Sequence, residues 1–237
     1  MNDERSLAAR QSDLGMVLAS ELERPNVMEA LPRDFNRARF VQNTLALVHD
    51  NEQLSKMPQS KLVPVLMKGA YLGLDFFNKE CYAVPYGQQL QFMPSYTGMV
   101  KLAKRFSKRP LKDIYAHIVH EGDEFESGME DGQEFVKFNP KSFNDGPIVG
   151  AFAVAQYQDG GIKVETMSKQ QLDAVKRMSK AQSGTAWKFF ADEMYRKSVI
   201  RRLCKGIDLD METIAAQVMA DDEPQEVEVE VDNPFGE

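Results

Sequence analysis

The chain has few of the residues from which thiol- and imidazole-based sites are built. Its 237 residues include two cysteines and three histidines. Cys81 and Cys204 stand far apart in sequence and form no C-x-x-C pair, so we expect no zinc site. We interpret both cysteines as buried free thiols of a protein in a reducing compartment.

Nucleotide-binding and nucleophile motifs are also missing. The sequence contains no G-x-x-x-x-G-K-[ST] and no Gly-Lys dipeptide, which excludes a P-loop and therefore ATP-driven recombinases and helicases. It has no G-x-G-x-x-G and no G-x-S-x-G, and none of its histidines, His49, His117 and His120, lies in a recognisable catalytic pattern. We expect no cofactor.

Long hydrophobic runs are the third absence. No stretch of eighteen apolar residues occurs, and the first ten residues lack the basic-then-apolar order of a signal peptide. The sequence therefore predicts a soluble cytoplasmic protein without a membrane partner. A hydrophobic content of 43% beside 27% charged residues is typical of a chain with an ordinary packed core.

Charge is present in excess, but its sign changes along the chain. The net charge is −7, yet residues 61–120 hold nine Lys or Arg against three Asp or Glu, and residues 163–206 hold eleven against four. Residues 121–135 carry seven carboxylates and residues 211–237 carry nine, and neither segment has a Lys or Arg. Two cationic segments therefore lie in an acidic chain, and they indicate an anionic partner.

Hydrophobic spacing and turn residues predict an α+β fold. We expect N-terminal helices, one of them beginning near Pro32, and a further helix from an N-cap at Ser60 to near Gly73, with Pro64 in its first turn. Residues 81–96 predict a β-hairpin that turns around Gly87. An antiparallel meander sheet is expected after residue 110, with basic helices beside it.

Three parts of the chain are predicted from these patterns. They are an N-terminal helical region (1–58), a core (59–210), and an acidic tail (211–237) that we expect to be disordered. Within the core, a capping box at Ser168 and Gln171 predicts one helix start. A single long helix is expected from about Ala186 to Lys205.

Three predicted helices combine a cationic side with an apolar side. In the helix of about ten residues expected from the stretch 95–105, Met99, Leu102, Ala103 and Phe106 share one side. Lys101, Lys104, Arg105 and, just beyond it, Lys108 share the other side, with no carboxylate of that helix among them. In the 168–180 helix, the cations have only Asp173 among them, opposite Leu172, Val175 and Met178. The cations of these three helices are Lys101, Lys104, Arg105, Lys108, Lys169, Lys176, Arg177, Lys180, Lys197, Arg201, Arg202 and Lys205.

The alternative interpretation of each such helix is a solubilising surface, but its threefold recurrence favours a groove for a polyanion. Aromatic residues near these helices, Tyr96 and Trp187 among them, are candidates for base stacking, although a place in the core is the more common role of such residues. Phosphate contacts combined with stacking indicate single-stranded nucleic acid. The predicted DNA-binding set is therefore the twelve cations together with Tyr96 and Trp187.

Several segments resemble a known family. Y-T-G-M-V-K-L-A-K-R (96–105) resembles the Y-x-G-M-x-x-L-A-x-R signature of the RecT family of phage single-strand annealing proteins. L-G-L-D-F, V-P-Y-G, H-E-G-D-E-F, Y-Q-D-G-G, M-S-K-Q-Q-L and E-M-Y-R-K-S-V-I-R-R-L agree in the same order. The resemblance covers about residues 35–210. It departs at Thr97, where relatives often carry a basic residue.

The resemblance implies an ATP-independent protein, encoded by a phage or prophage, that coats single-stranded DNA and anneals complementary strands in the bacterial cytoplasm. It implies a ring or helical homo-oligomer, a fold related to the Red beta protein of phage lambda, and work beside a 5′→3′ exonuclease and the host single-strand-binding protein. Matching the family's motifs to this sequence implies that Lys101, Arg105, Arg201 and Arg202 line the DNA groove.

Two other functions stay open at this point. A metal-dependent nuclease would use Asp123, Glu124 or Glu165, although a solvated acidic turn at 121–126 is the preferred interpretation of the first two. A passive single-strand-binding coat would need the same cations but would not speed pairing. For the acidic tail we predict a solubilising role, and mimicry of DNA or docking of a partner through D-N-P-F is a second hypothesis.

Overall fold

The computed structural model describes residues 2–86, 89–179 and 182–210. They fall into two compact units, one ending at Gly98 and the other comprising Met99–Asp210. The predicted boundaries at residues 58 and 210 stay predictions. Gly87, Lys180 and the predicted disordered tail lie outside the described residues.

The first unit begins with helices: α1 (Asn2–Leu22), α2 (Pro25–Ala30), α3 (Arg37–Asp50), α4 (Glu52–Ser55) and α5 (Gln59–Leu72). The predicted helix start near Pro32 was wrong. Helix α3 begins at Arg37 because the Asn36 side chain accepts a hydrogen bond from the Arg39 amide at 2.9 Å, and asparagine is among the strongest N-caps.

Helix α5 confirms the predicted end and corrects the predicted start. It stops at Leu72 because Gly73 adopts the left-handed conformation, with φ 61°, which glycine reaches without steric cost. Ser60 is not the N-cap: Pro58 holds that position, and Pro64 lies inside the helix. The first-turn placement of Pro64 was therefore wrong.

The rest of the first unit is the predicted hairpin. Strands β1 (Cys81–Tyr86) and β2 (Gln89–Pro94) pair antiparallel with Cys81 opposite Pro94. The Phe92 ring packs edge-on against Phe76, with centroids 6.2 Å apart, and Phe76 lies 6.2 Å from Phe40. The aromatic side chains thus join the hairpin to helix α3 in one core.

Helix α6 (Tyr96–Phe106) follows and leads into the second unit, whose sheet has the antiparallel order β3-β6-β7. These strands are Leu111–His120, Ile148–Tyr157 and Ile162–Ser168. Strands β4 (Glu124–Glu130) and β5 (Gln133–Asn139) form a separate hairpin inserted between β3 and β6. The predicted meander is therefore interrupted, and only residues 121–123 form the acidic turn expected at 121–126.

Strand β6 is buried on both faces and separates two layers. Phe152 and Val154 pack with Phe125, Val136 and Phe138 of the β4–β5 hairpin. Ala151, Ala153 and Ala155 alternate with them and are equally buried, so they face the other side, where helix α9 (Ala191–Lys205) contacts all three strands. The second unit is thus a hairpin layer, a sheet and a helix layer.

Helices α7 (Lys169–Met178) and α8 (Thr185–Phe189) complete the helix layer. The single helix expected from Ala186 to Lys205 was wrong, because Phe190 breaks it with φ −131° and ψ 41°. In the described part of the chain, no helix combines the length and apolar character needed to span a membrane.

The capping box of α7 is confirmed, and we expect its removal to have a measurable cost. The Gln171 amide donates to Ser168 Oγ at 3.3 Å, and the Ser168 amide donates to Gln171 Oε1 at 3.0 Å. Ser168→Ala should lower the free energy of unfolding by about 1 kcal/mol, measured by urea denaturation. The exposed Ser142→Ala is the control, and an equal loss in both variants would contradict the prediction.

Candidate nucleic-acid interface

Helix α6 has the two sides that its sequence predicts. Met99, Leu102 and Ala103 are fully buried, and Phe106 is half-buried. On the other side, Lys101 and Arg105 are half-buried and Lys104 is exposed. The fourth predicted cation, Lys108, is exposed but follows the helix, which ends at Phe106. The apolar side fixes the rotation of the helix, and this rotation places Lys101, Lys104 and Arg105 at the surface of the second unit.

Carboxylates from other elements meet Lys104 and Lys108. Lys104 Nζ donates to Asp113 Oδ1 of β3 at 2.8 Å, and Lys108 Nζ lies 3.4 Å from Asp208 Oδ1 in the segment after α9. The hydrogen bond from Lys104, followed by that from the Ile114 amide, lowers the pKa of Asp113. The α6 cations thus have anionic neighbours that the helix sequence does not reveal.

The C-terminal ends of α6 and α9 lie together. The Lys108 amide donates to the Asp208 carbonyl at 3.1 Å, and the Asp210 amide donates to the Phe106 carbonyl at 3.0 Å. Arg202 and Lys205 lie in the last turn of α9, so their charges and those of the α6 end share one end of the sheet. Cations at helix C-termini also complement the helix dipole, so these residues have a structural role as well.

Arg202 and Arg201 of helix α9 occupy different environments. Arg202 Nε lies 2.9 Å from Glu165 Oε1 of β7, and its side chain is about half exposed. Arg201 is half-buried, and Lys205 is exposed. We call Lys101, Lys104, Arg105, Lys108, Arg201, Arg202 and Lys205 the α6–α9 cation group.

The α7 cations form a second group. Lys169 Nζ donates to both Asp173 oxygens at 2.5 and 2.6 Å, and the Tyr195 hydroxyl donates to Asp173 Oδ1 at 2.7 Å. The hydrogen bond from Lys169, and after it that from Tyr195, lowers the pKa of Asp173. This network ties the first turn of α7 to α9. Arg177 is exposed.

The aromatic candidates lie partly in the core. Trp187 is only 3% exposed; its Nε1–H donates to Ser179 Oγ at 3.1 Å, and its ring packs edge-on against Tyr195 at 5.6 Å. Lys176 Nζ lies 5.9 Å from the Trp187 ring centroid. Tyr96 is half-buried. In this conformation a base could not lie flat on the indole, and the stacking role of both residues stays a prediction.

The two cation groups lie at opposite ends of β7. Helix α7 begins directly after Ser168, the last residue of that strand, whereas Lys163 near its start lies against Gly206 at the end of α9. Six residue steps of a strand span about 20 Å. Lys197, on α9, lies in sequence between the cations of the two groups. It is half-buried, with its Nζ 4.0 Å from Met194 Sδ. The structure thus brings together the ends of α6 and α9, and it places α7 apart from them.

Sequence reasoning missed Arg109, a cation at the α6–α9 end. Arg109 donates from Nε and Nη2 to both Asp159 oxygens at 2.6 Å, and its guanidinium lies 4.1 Å from the Tyr157 ring centroid. The pair fixes the β6–β7 turn, and an alanine Cβ at Gly161 would lie 1.9 Å from Arg109 Nη2. The only sign of this pair in the sequence is the Y-Q-D-G-G turn, which contains Asp159 but does not indicate Arg109 as its partner.

The carboxylates named by the nuclease hypothesis are bonded to protein groups. Asp123 accepts from the His120 amide at 2.8 Å, the Lys141 amide at 3.0 Å and Asn144 Nδ2 at 2.7 Å. The first of these bonds is the main reason that the pKa of Asp123 is lowered. Among residues 2–86, 89–179 and 182–210, no three metal-binding side chains cluster as a metal site would require.

Both cysteines lie in the core, as expected. Cys81 and Cys204 are buried and form no disulfide, and burial raises the pKa of the Cys204 thiol to about 12. A thiol with such a pKa stays protonated and unreactive near neutral pH.

The fold and its cation groups define an α+β protein with a basic helix-and-sheet unit. Comparison with known proteins identifies the family: the RecT family model matches residues 38–234, and the chain belongs to the RecT family. It is also similar to Protein RecT of Escherichia coli (strain K12), with 28% identity over an alignment of 229 positions that covers 92% of this chain and 83% of that protein. The resemblance carried by the Tyr96–Arg105 signature is thereby confirmed.

Proposed function

We propose that this protein binds single-stranded DNA and anneals complementary strands in homologous recombination, without ATP. The observation that carries the proposal is the family match over residues 38–234. The finer statements follow the same family: a fold related to that of Red beta, a DNA groove lined by basic helices, and a ring or helical homo-oligomer. An exonuclease and the host single-strand-binding protein are the proposed partners, in the cytoplasm of a bacterial host.

The geometry of the α6–α9 cation group supports binding to the DNA backbone. Lysine and arginine side chains contact phosphates without reading sequence, and annealing needs contacts of this kind because the bases must stay open to a second strand. The group includes Lys101 and Arg105, whose positions on α6 are set by the burial of Met99 and Leu102. No covalent step is required for strand pairing.

Several of the proposed contacts start from an ion pair. Lys104, Lys108, Lys169 and Arg202 each lie within 4.0 Å of a carboxylate. Exposed ion pairs contribute only about 0–1 kcal/mol, so a phosphate can replace the carboxylate at small cost. If about four phosphates are neutralised, log affinity should fall with log salt concentration at a slope of about −3.

An annealing assay tests the proposal. Two complementary oligonucleotides, one with a fluorophore and one with a quencher, are mixed with the full-length protein and magnesium but no ATP. We expect faster quenching than without protein, and strands of unchanged length on a denaturing gel. An unchanged pairing rate with protected DNA would identify a passive coat instead, and shortened strands would identify a nuclease.

A further inference from the structure

The helix layer of the second unit exposes a group of large apolar side chains. Val175 is 37%, Met178 72%, Phe189 66% and Phe190 60% exposed. They lie at the end of α7, on α8 and at the break before α9, and the Trp187–Ser179 hydrogen bond holds the end of α7 against α8. Single exposed apolar residues are ordinary, but four large ones on neighbouring elements mark a candidate interaction surface. We call these four residues the helix patch.

The charges beside the helix patch are mainly positive. Arg177 and Lys188 are exposed, and Lys176 is half-buried; Lys188 Nζ lies 5.4 Å from the Phe189 ring centroid. Of the nearby carboxylates, Glu193 is already bound by Arg196 at 2.6 Å, and Asp192 is half-buried. A partner that covers this patch should therefore combine an apolar group with negative charge.

The loop between β5 and β6 of the same chain carries such a combination. The Phe143 side chain is 100% exposed. Three carboxylates of this loop, or of the turn and strand bonded to its ends, are exposed as well: Glu121, Glu124 and Asp145. Lys141 is the neighbouring cation. We call Phe143 with these three carboxylates the acidic knob. Its loop joins the hairpin layer to the sheet, whereas the helix patch belongs to the layer on the other face of the sheet.

The loop holds Phe143 in place from both sides. Asp123, whose side chain is 1% exposed, accepts from the Lys141 amide at 3.0 Å and from Asn144 Nδ2 at 2.7 Å. Asn144 Oδ1 in turn accepts from the Gly146 amide at 3.0 Å. The residues on either side of Phe143 are thus fixed to a buried carboxylate, and the ring is presented to solvent by a braced loop.

We propose that the acidic knob of one copy docks on the helix patch of the next copy. The two surfaces match in character: an aromatic ring with carboxylates meets apolar side chains with cations. The carboxylates around Phe143 disfavour a nucleic acid as its partner, because they repel phosphates. The inference rests on the proposed function in one respect, since it specifies the surfaces that build the assembly named there.

The symmetry of such a contact follows from its two unlike halves. When two copies dock, one of them keeps an unused knob at one end of the assembly and the other keeps an unused patch at the opposite end. A contact of this heterologous kind does not close on a two-fold axis, and its repetition gives a ring or an open helical filament.

Sedimentation velocity of full-length variants without DNA tests the docking. Phe143→Ser and Phe189→Ser should each raise the concentration needed for assembly at least about tenfold, the effect of losing roughly 1.4 kcal/mol of binding free energy. Phe77→Ser is the matched control, because its ring is 69% exposed but belongs to the first unit. Unchanged circular dichroism should show that all three variants are folded.

Mixing the two variants is the decisive experiment. A Phe143→Ser chain keeps an intact patch, and a Phe189→Ser chain keeps an intact knob, so an equimolar mixture should form pairs that cannot extend. Absence of pairs in the mixture, or assembly of Phe143→Ser like the parent, would overturn the proposal. A Phe143→Ser chain that assembles normally but loses single-strand binding would assign the ring to DNA instead. Because assembly is measured without DNA, failure of the annealing assay would leave this result standing.

Discussion

Replacing Lys101 and Arg105 together by alanine is expected to weaken single-strand binding at least about tenfold, for every DNA sequence tested. A charge-assisted hydrogen bond contributes about 1.5–3 kcal/mol, and a tenfold change needs only about 1.4 kcal/mol. The loss should be uniform across sequences because contacts to phosphate carry no base information. Fluorescence anisotropy with labelled oligonucleotides measures it.

The salt dependence provides a second measure for the same variant. Removal of two phosphate contacts should reduce the slope of log affinity against log salt by about 1.4. Lys137→Ala with Lys141→Ala is the matched control, since it removes two exposed cations from the hairpin layer. Equal losses in the two double variants would mean that only net charge matters, and unchanged affinity at moderate salt would refute the groove assignment for Lys101 and Arg105.

Gly98→Ala is expected to have the largest effect on stability. An alanine Cβ at this position would lie 2.0 Å from the carbonyl oxygen of Glu80 and 3.1 Å from its carbonyl carbon. The obstacle is backbone, and this carbonyl accepts the Ser95 amide at 2.9 Å, so it cannot move without loss of that bond. Overpacking of this kind costs about 1–3 kcal/mol and occasionally more. We expect a loss of about 3 kcal/mol.

Urea denaturation measures the free energy of unfolding of Gly98→Ala and of a control, Gly206→Ala. At Gly206 the Cβ would meet the flexible end of Lys163 at 3.1 Å, which can move aside, so we expect a loss under about 1 kcal/mol. Faster hydrogen exchange in β1 and β2 should accompany the Gly98 change. A Gly98→Ala protein as stable as the Gly206→Ala protein would show that the close approach to Glu80 is not required.

The features that were predictable from the sequence are those set by local patterns. The burial of Met99, Leu102 and Ala103 follows from their spacing on a helix, and the capping box at Ser168 follows from S-x-x-Q. The hairpin of residues 81–94 follows from the change in the spacing of apolar residues at Cys81, from that of a helix to that of a strand. Each of these depends on residues only a few positions apart, and each is present in the structure.

The features that were missed depend on distant parts of the chain. Strand β4 is rich in carboxylates and mostly exposed, so its own sequence is typical of a turn, and pairing with β5 is what makes it a strand. The break at Phe190 interrupts a run with ordinary helix-forming residues. The carboxylates of Asp113 and Asp208 come to the α6 cations from β3 and from the segment after α9. The spacing of residues within α6 does not reveal them.

The ion pairs of the candidate interface also bear on how fast a strand is released. If Lys104 binds a phosphate as proposed, the carboxylate of Asp113, which lies 2.8 Å from the lysine in the resting structure, would replace that phosphate when it leaves. The lysine would then not be left without an anion while the strand moves. The same holds for Lys108, Lys169 and Arg202 with their own carboxylates. Each contact is then an exchange of one anion for another, with a small net free energy in either direction. A strand held in this manner is expected to shift its register often, and a search for complementarity between two strands depends on such shifts.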